Sequence, residues 1–215
     1  MIQVHTEVCG PLGNNVYLLW DESTREAALI DPAIGSEGFA DFAESERLVP
    51  KYIFNTHGHF DHIWNNALFK REWRVPLICP RGDEAVFRHA AQAAVSWGFG
   101  TPELSPPVDV WCGDGDEFLL GAEKIQVIST PGHTPGHVSF LTTAGLFSGD
   151  VIFRGGIGRW DLPGGDGKLL LTSIRERLFN LPDSTVVFPG HGPPTTIGEE
   201  KKDNPYVGED AVFEP

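Results

Sequence analysis

Apolar and polar positions fall into short runs along the chain, separated by turn residues, and the runs read as strands alternating with helices. IQVHTEV (2–8), VYLLW (16–20) and AALID (27–31) are strand-like, the last two joined by the polar turn DESTRE. KYIFN (51–55) is a further strand that runs directly into THGHFDH (56–62). There the period changes. Phe60, Ile63, Trp64, Ala67 and Leu68 recur at helical spacing, so a helix begins inside that segment. PLIC (76–79) is a short strand, and residues 83–97 predict an amphipathic helix with Val86, Ala90, Ala93 and Trp97 on one face, stopped by Gly98 and Gly100. TPELSPPVDVW (101–111), with three prolines, reads as a loop. EFLL, KIQVIS, VSFLT and LFS follow as strands, the last two closed into a hairpin at TAG (143–145). Asp166 is placed to cap a helix whose face carries Leu170, Leu171, Ile174, Leu178 and Leu181, and TVVF (185–188) is a final strand. The charged tail from about Glu199 is expected to lie over the surface or to be partly mobile. Strand-then-helix order occurs twice, which suggests an α/β sandwich of two similar halves.

Composition narrows this picture. A chain of 215 residues that is 40% hydrophobic suits one globular domain, 1–215, with a sizeable core. The net charge of −14, with no run of Lys and Arg, argues against a nucleic-acid partner. No apolar run approaches the roughly 20 residues of a membrane span, and the start MIQVHTEVCG has no basic region followed by an apolar one. A soluble, cytoplasmic protein is expected. Cys9, Cys79 and Cys112 are an odd number, far apart and without a CxxC pair, so buried reduced thiols are expected in place of a disulfide or thiolate zinc site.

The chemistry concentrates elsewhere. THGHFDH holds His57, His59, Asp61 and His62 in seven positions. Each would be costly to bury unpaired. His133 follows the strand KIQVIS, Asp150 follows LFS and His191 follows TVVF, as His57 follows KYIFN. Four segments thus present His or Asp at the C-terminal ends of strands, where α/β proteins gather their sites. Imidazole and carboxylate without thiolate are ligands for zinc, iron or manganese. One ion takes about four to six donors including water, so seven candidates point to two ions. In this arrangement His57, His59 and His133 hold one ion and Asp61, His62 and His191 the other. Asp150 and a water bridge them at a separation of about 3.5 to 4 Å. His5 and His89, outside every motif, read as surface or packing residues; His137 reads as a support behind the ligands, with ligation as the alternative, Asp31 as an orienting or turn residue, and Trp64, Trp73 and Trp97 as residues that fill the core.

The pattern HxHxDH, followed by separate His, Asp and His at strand ends, resembles the metallo-β-lactamase superfamily. The likeness runs through LIDPA with Asp31, THGHFDH, TPGHTPGH, SGD and PGHG. It implies a four-layer αββα sandwich with two divalent metals, zinc foremost and iron or manganese as alternatives, between the sheets. Within the superfamily, GRWDLPGGD and PGHGPPTTIGEEKKDNP look like the small glyoxalase II-like hydrolases. That likeness implies a small-molecule thioester substrate of the S-2-hydroxyacylglutathione (S-lactoylglutathione) type, attacked at its carbonyl by a metal-bridging hydroxide. Asp61 would orient the water and take its proton. Glyoxalase II itself carries a further helical domain for glutathione, which this chain is too short to include. Arg159 in IGRWD stands where that family has a basic contact to the thiol cofactor, while the aromatic residue expected two positions later is Asp161. Trp160 is a candidate substrate contact, with core packing as the alternative. Persulfide dioxygenases share the fold with a single iron, held here by His57, His133 and Asp150, although PGHGPPT lacks their His-Asp-Tyr ending. A metal-binding module without turnover is the third reading, and a secreted lactamase or a nuclease is disfavoured.

Overall fold

The structure, a computed structural model, describes residues 1–215. Its elements, in chain order, are β1 (Ile2–Cys9), β2 (Asn14–Asp21), β3 (Glu26–Ile30), α1 (Gly38–Ser45), β4 (Val49–Phe54), α2 (Phe60–Ile63), α3 (Asn66–Trp73), β5 (Leu77–Pro80), α4 (Glu84–Ser96) and β6 (Val110–Cys112). The second half runs β7 (Glu117–Leu120), β8 (Glu123–Ser129), β9 (Val138–Thr142), β10 (Gly145–Gly149), β11 (Ile152–Phe153), β12 (Gly156–Ile157), α5 (Gly167–Ser173), β13 (Val186–Pro189), β14 (Thr195–Thr196) and α6 (Ile197–Asp203).

Two six-stranded sheets, ordered β1-β2-β3-β4-β5-β6 and β14-β13-β10-β9-β8-β7, face each other between helices. Three apolar layers hold them. Tyr17, Leu19, Ile30 and Phe54 of the first sheet meet Phe140 and Phe147 of the second. On the far side of the first sheet, Leu18, Leu29, Ile53 and Leu77 pack against Phe39 of α1 and Phe69 of α3. On the far side of the second, Leu146 and Val187 pack against Leu170 and Leu171 of α5 and Ile197 of α6. The pleat sends successive residues of one strand to opposite layers, as Val16 and Leu18 go to one core and Tyr17 and Leu19 to the other. Strands covered on both faces therefore read as continuous apolar runs. This is the αββα sandwich expected from the sequence, and β3, β4, β5 and β6 pair in parallel so that their C-terminal ends share one edge.

Several elements depart from expectation. The helix read from Phe60 to Leu68 is two helices, because the Asn65 N–H donates to the Pro32 carbonyl at 2.9 Å and its side chain donates to Ala33 and Ser36. The start of α3 is thereby tied to the loop after β3. α1 was not read from the pattern, yet it buries Phe39 and Ala43. The end of the proline-rich segment, read as loop, forms β6 on β5. The charged tail is ordered structure: Thr196 caps α6 by accepting from the Glu199 N–H, and Ile197, Glu200, Asn204 and Val207 are buried. Buried Glu200 is satisfied by Gly155 N–H, the Thr195 hydroxyl and Asn204. The cap at Asp166 forms as expected, accepting from the Leu169 N–H at 3.0 Å. The face assigned to α4 is revised below.

Candidate metal centre

All seven candidate ligands meet in one cleft at the strand ends. Asp150 directly follows β10, His57 lies shortly after β4, His133 lies beyond β8, and His191 lies just past β13. One ligand atom from each of His57, His59 and His133 lies within 4.8 Å of the others, and the same holds for Asp61, His62 and His191. Asp150 stands between the two groups. Its Oδ1 is 3.5 Å from His62 Nε2, and its Oδ2 is 3.7 Å from His133 Nε2 and 3.4 Å from His191 Nε2. His62 Nε2 and His191 Nε2 approach to 3.3 Å.

The hydrogen bonds behind the cleft fix how the rings are presented. His133 Nδ1–H donates to the Arg159 carbonyl at 2.7 Å and His191 Nδ1–H to the Leu12 carbonyl at 3.1 Å. His62 Nδ1–H donates to Asp31 Oδ2 at 3.1 Å. The Thr56 hydroxyl donates to Asp31 Oδ2 at 2.6 Å, so its oxygen accepts from His57 Nδ1–H at 3.0 Å. Each of these four rings therefore turns its Nε2 lone pair toward the cleft. His57 Nε2, His133 Nε2 and Asp150 Oδ1 are buried with no hydrogen-bond partner. Buried polar atoms are ordinarily paired. Three unpaired acceptors converging with a histidine and carboxylate donor set fit divalent metal ions.

Charges within the cleft press on one another. Burial, then the neighbouring imidazoles of His62, His59 and His133, holds His57 well below the usual imidazole range. Burial, then His133, brings His59 down to about 3. At His62 burial acts against the proton, but the carboxylates of Asp150 and Asp61 outweigh it and raise the pKa well above the ordinary value. His191 is raised in the same way, burial again opposing and Asp150 prevailing. Asp150 is held well below the carboxylate range, because His62 and His191 overcome the cost of its burial.

Residues around the ligands complete the scaffold. His137 accepts the Asp150 N–H on Nε2 at 3.0 Å and its Nδ1–H donates to Thr130, so it has no free lone pair and acts behind Asp150. Asp31, at φ 53°, is saturated by Thr56 N–H, the Thr56 hydroxyl and His62. Gly149 adopts φ 55°, and a Cβ there would lie 2.5 Å from Thr56 Oγ1; at Gly190 a Cβ would lie 2.1 Å from Asp150 Oδ1. Both positions exclude a side chain. Two polar residues escaped the sequence analysis. Asn14 donates to Asp61 Oδ2 at 2.9 Å. Asp83, fully buried, accepts from Gly58 N–H, the Thr134 hydroxyl and Gly136 N–H, so it joins the loop of His57 to the loop of His133. Asp83 lies just beyond β5, and the strand-end rule applied to that strand would have found it.

The ligands lie at the base of a cavity of about 690 Å³. One wall is α4, and here a correction is needed: Val86, Ala90, Ala93 and Trp97 face this cavity, while Ala90 and Ala94 alone are buried on the helix. Trp97 is 48% exposed. Arg159 also borders the cavity, but Asp161 takes its guanidinium through two bonds of 2.7 and 2.8 Å. Trp160 does not line the cavity. Its ring packs edge-on against Phe213 at 5.2 Å beside the α5 core, so the substrate contact considered for it is replaced by packing.

The sequence pattern of the Metallo-beta-lactamase superfamily matches residues 9–191. This chain belongs to that superfamily. Hydroxyacylglutathione hydrolase GloC of Haemophilus influenzae is 36% identical over 197 residues, spanning 90% of this chain and 92% of its own. Among solved structures, the BLEG-1 B3 metallo-beta-lactamase superposes with a TM-score of 0.88 at 34% identity, covering 96% of this chain and 99% of that one. TTHA1623 in a di-iron-bound form gives 0.86 at 39% identity, with 95% and 100% covered. ETHE1 from Myxococcus xanthus gives 0.79 at 30%, with 95% and 84% covered. With its histidine and aspartate clusters, the chain is a metal-dependent hydrolase of this superfamily.

Proposed function

We propose that this chain hydrolyses thioesters of 2-hydroxy acids, the type represented by S-lactoylglutathione, with two divalent metal ions, zinc first and iron or manganese as alternatives. The observation that carries the reading is the place of Asp150. Its two oxygens reach histidines of both three-residue groups, as a bridging carboxylate must. His57, His59 and His133 would hold one ion, and Asp61, His62 and His191 the other. Ions at these positions supply Lewis acidity and a water acidified toward neutrality.

The chain's own groups do the rest. Asn14 fixes the Asp61 carboxylate, which orients the attacking water and accepts its proton. The α4 wall gives the site an apolar side beside the reacting carbonyl. A C–O bond forms to the water oxygen, the C–S bond breaks, and the departing sulfur leaves as thiol with a proton. Likeness to GloC supports the thioester.

A mononuclear iron persulfide dioxygenase remains the second reading, since the His57 and His133 rings adjoin, Asp150 lies 3.7 Å from His133, and ETHE1 shares the fold. Against it stands the second group. Asp61, His62 and His191 are each braced by Asn14, Asp31 or the Leu12 carbonyl, an investment a single iron does not require. A metal-binding module without turnover is disfavoured by the cavity over the ligands. In the test, the metal-loaded protein hydrolyses S-lactoylglutathione. His57→Ala and Asp150→Ala lose bound metal and at least about 100-fold in kcat/KM. Either variant working at the parental rate would remove the assignment.

A further inference from the structure

The cavity above the ligands is far larger than a lactoyl group needs. A cavity of about 690 Å³ must hold the other half of the substrate as well, and its walls describe that half. Val86, Ala90, Ala93 and Trp97 of α4 line it, as do Leu162 and Ile157 from the second half of the chain. Trp97 is the telling residue. A tryptophan 48% exposed contributes little to a core, yet Phe60 supports its ring at 6.1 Å so that it faces the cavity. The helix pattern that reads as a core face is an apolar wall of the cavity.

Cations are scarce on these walls. Arg159 is the one lysine or arginine that borders the cavity. Its Nε and one terminal nitrogen are engaged by the two oxygens of Asp161, and its plane lies over Trp97 at 5.7 Å. Asp161 counters the charge of that fork and takes its Nε side, leaving the N–H groups of the other terminal nitrogen. The Nδ1–H of His89 on α4 donates to the Ala85 carbonyl at 2.8 Å. Glutathione brings two carboxylates and meets here one guanidinium whose charge Asp161 already counters.

Resting on the thioester reading above, we propose that the preferred substrate carries an uncharged, apolar thiol, seated against Trp97 and the apolar lining, and that Asp161 sets this preference by countering the charge of Arg159. The reaction is the same hydrolysis. The carbonyl carbon gains the water oxygen, the C–S bond breaks, and the apolar thiol departs with the proton.

The test compares the S-lactoyl ester of 1-hexanethiol with S-lactoylglutathione on the metal-loaded protein, with metal content recorded for every variant. Two methylenes buried on the wall correspond to a gain of about tenfold, so the hexanethiol ester should exceed S-lactoylglutathione in kcat/KM by at least that factor. Trp97→Ala should narrow the ratio by slowing the hexanethiol ester, mostly through KM. Asp161→Asn should narrow it by improving S-lactoylglutathione about two- to five-fold, an effect lost at high salt, as for an exposed ion pair. S-lactoylglutathione equal or superior in the parent protein, or ratios unmoved by both substitutions, would overturn the inference and leave the hydrolase reading standing. Hydrolysis of neither ester by protein with a full metal complement would overturn the hydrolase reading, and the inference with it.

Discussion

Asp83 shows what a single buried carboxylate does for this site. It ties the loop bearing His57 to the loop bearing His133 through three donors, of which the Gly58 N–H and the Thr134 hydroxyl are buried and the Gly136 N–H is partly buried. Each buried donor left unsatisfied costs about 1–3 kcal/mol. Asp83→Ala should therefore lower unfolding free energy by about 3 kcal/mol or more, read from urea denaturation of metal-free protein, and should weaken metal binding. A loss below 1 kcal/mol would show that the loops are held by other means. The three cysteines make a second case. All are free and buried, and burial lifts the Cys9 thiol to about 11 and Cys112 to about 12. A raised pKa leaves little thiolate at pH 8, so a thiol reagent should label none of the three in the native protein and all three once it is unfolded. Rapid native labelling of any one would contradict its burial. At this scale the sequence was most legible where side chains declare their chemistry. His57, His59, Asp61 and His62 stand together in the chain, and glycines mark the turns around His133, Asp150 and His191. Asn14 and Asp83 were silent, because a lone Asn in a strand or a lone Asp after one carries no local pattern; only contacts made 47 and 51 residues away give them meaning.

Among the elements, periodicity identified α4 but not what its face meets. A helical stripe of Val86, Ala90, Ala93 and Trp97 looks the same whether it covers a core or lines a cavity. The helix split at Asn65 was hidden for a similar reason, since its cause is a bond to Pro32 from another part of the chain. α1 is only eight residues long, so the helical spacing of Phe39, Ala40, Phe42 and Ala43 extends over little more than one turn, and β6 sits at the end of a proline-rich stretch and is held by β5. The difference between wall and core is measurable. Phe39 of α1 is fully buried in the outer layer of the first sheet, and Phe39→Ala should cost about 3–5 kcal/mol of stability. Trp97→Ala should cost less than about 1 kcal/mol, although it removes the larger ring, because nearly half of that ring is already exposed. Equal losses in thermal or urea unfolding would return Trp97 to the core.

In the whole molecule, two sheets bring strand ends from both halves of the chain to one edge, and the site exists only where they meet. That assembly also couples metal to protons. His62 and His191 have pKa values raised above the unfolded value near 6.5, so without metal they keep their protons to higher pH than a free imidazole does. Those protons add stability to the metal-free chain in acid, and the gain fades as pH rises through the folded values. Metal requires the bare rings, so binding should release protons and tighten as pH increases through neutrality. Calorimetric titration in buffers of different ionisation enthalpy reads that release; a titration with no proton released would contradict the assignment of these rings. The most direct measurement of the central claim is metal content per chain by elemental analysis of freshly purified protein, with S-lactoylglutathione hydrolysis and persulfide-dependent oxygen uptake assayed on the same sample. Two ions per chain together with hydrolysis is the predicted result, and one iron per chain with oxygen uptake would contradict it.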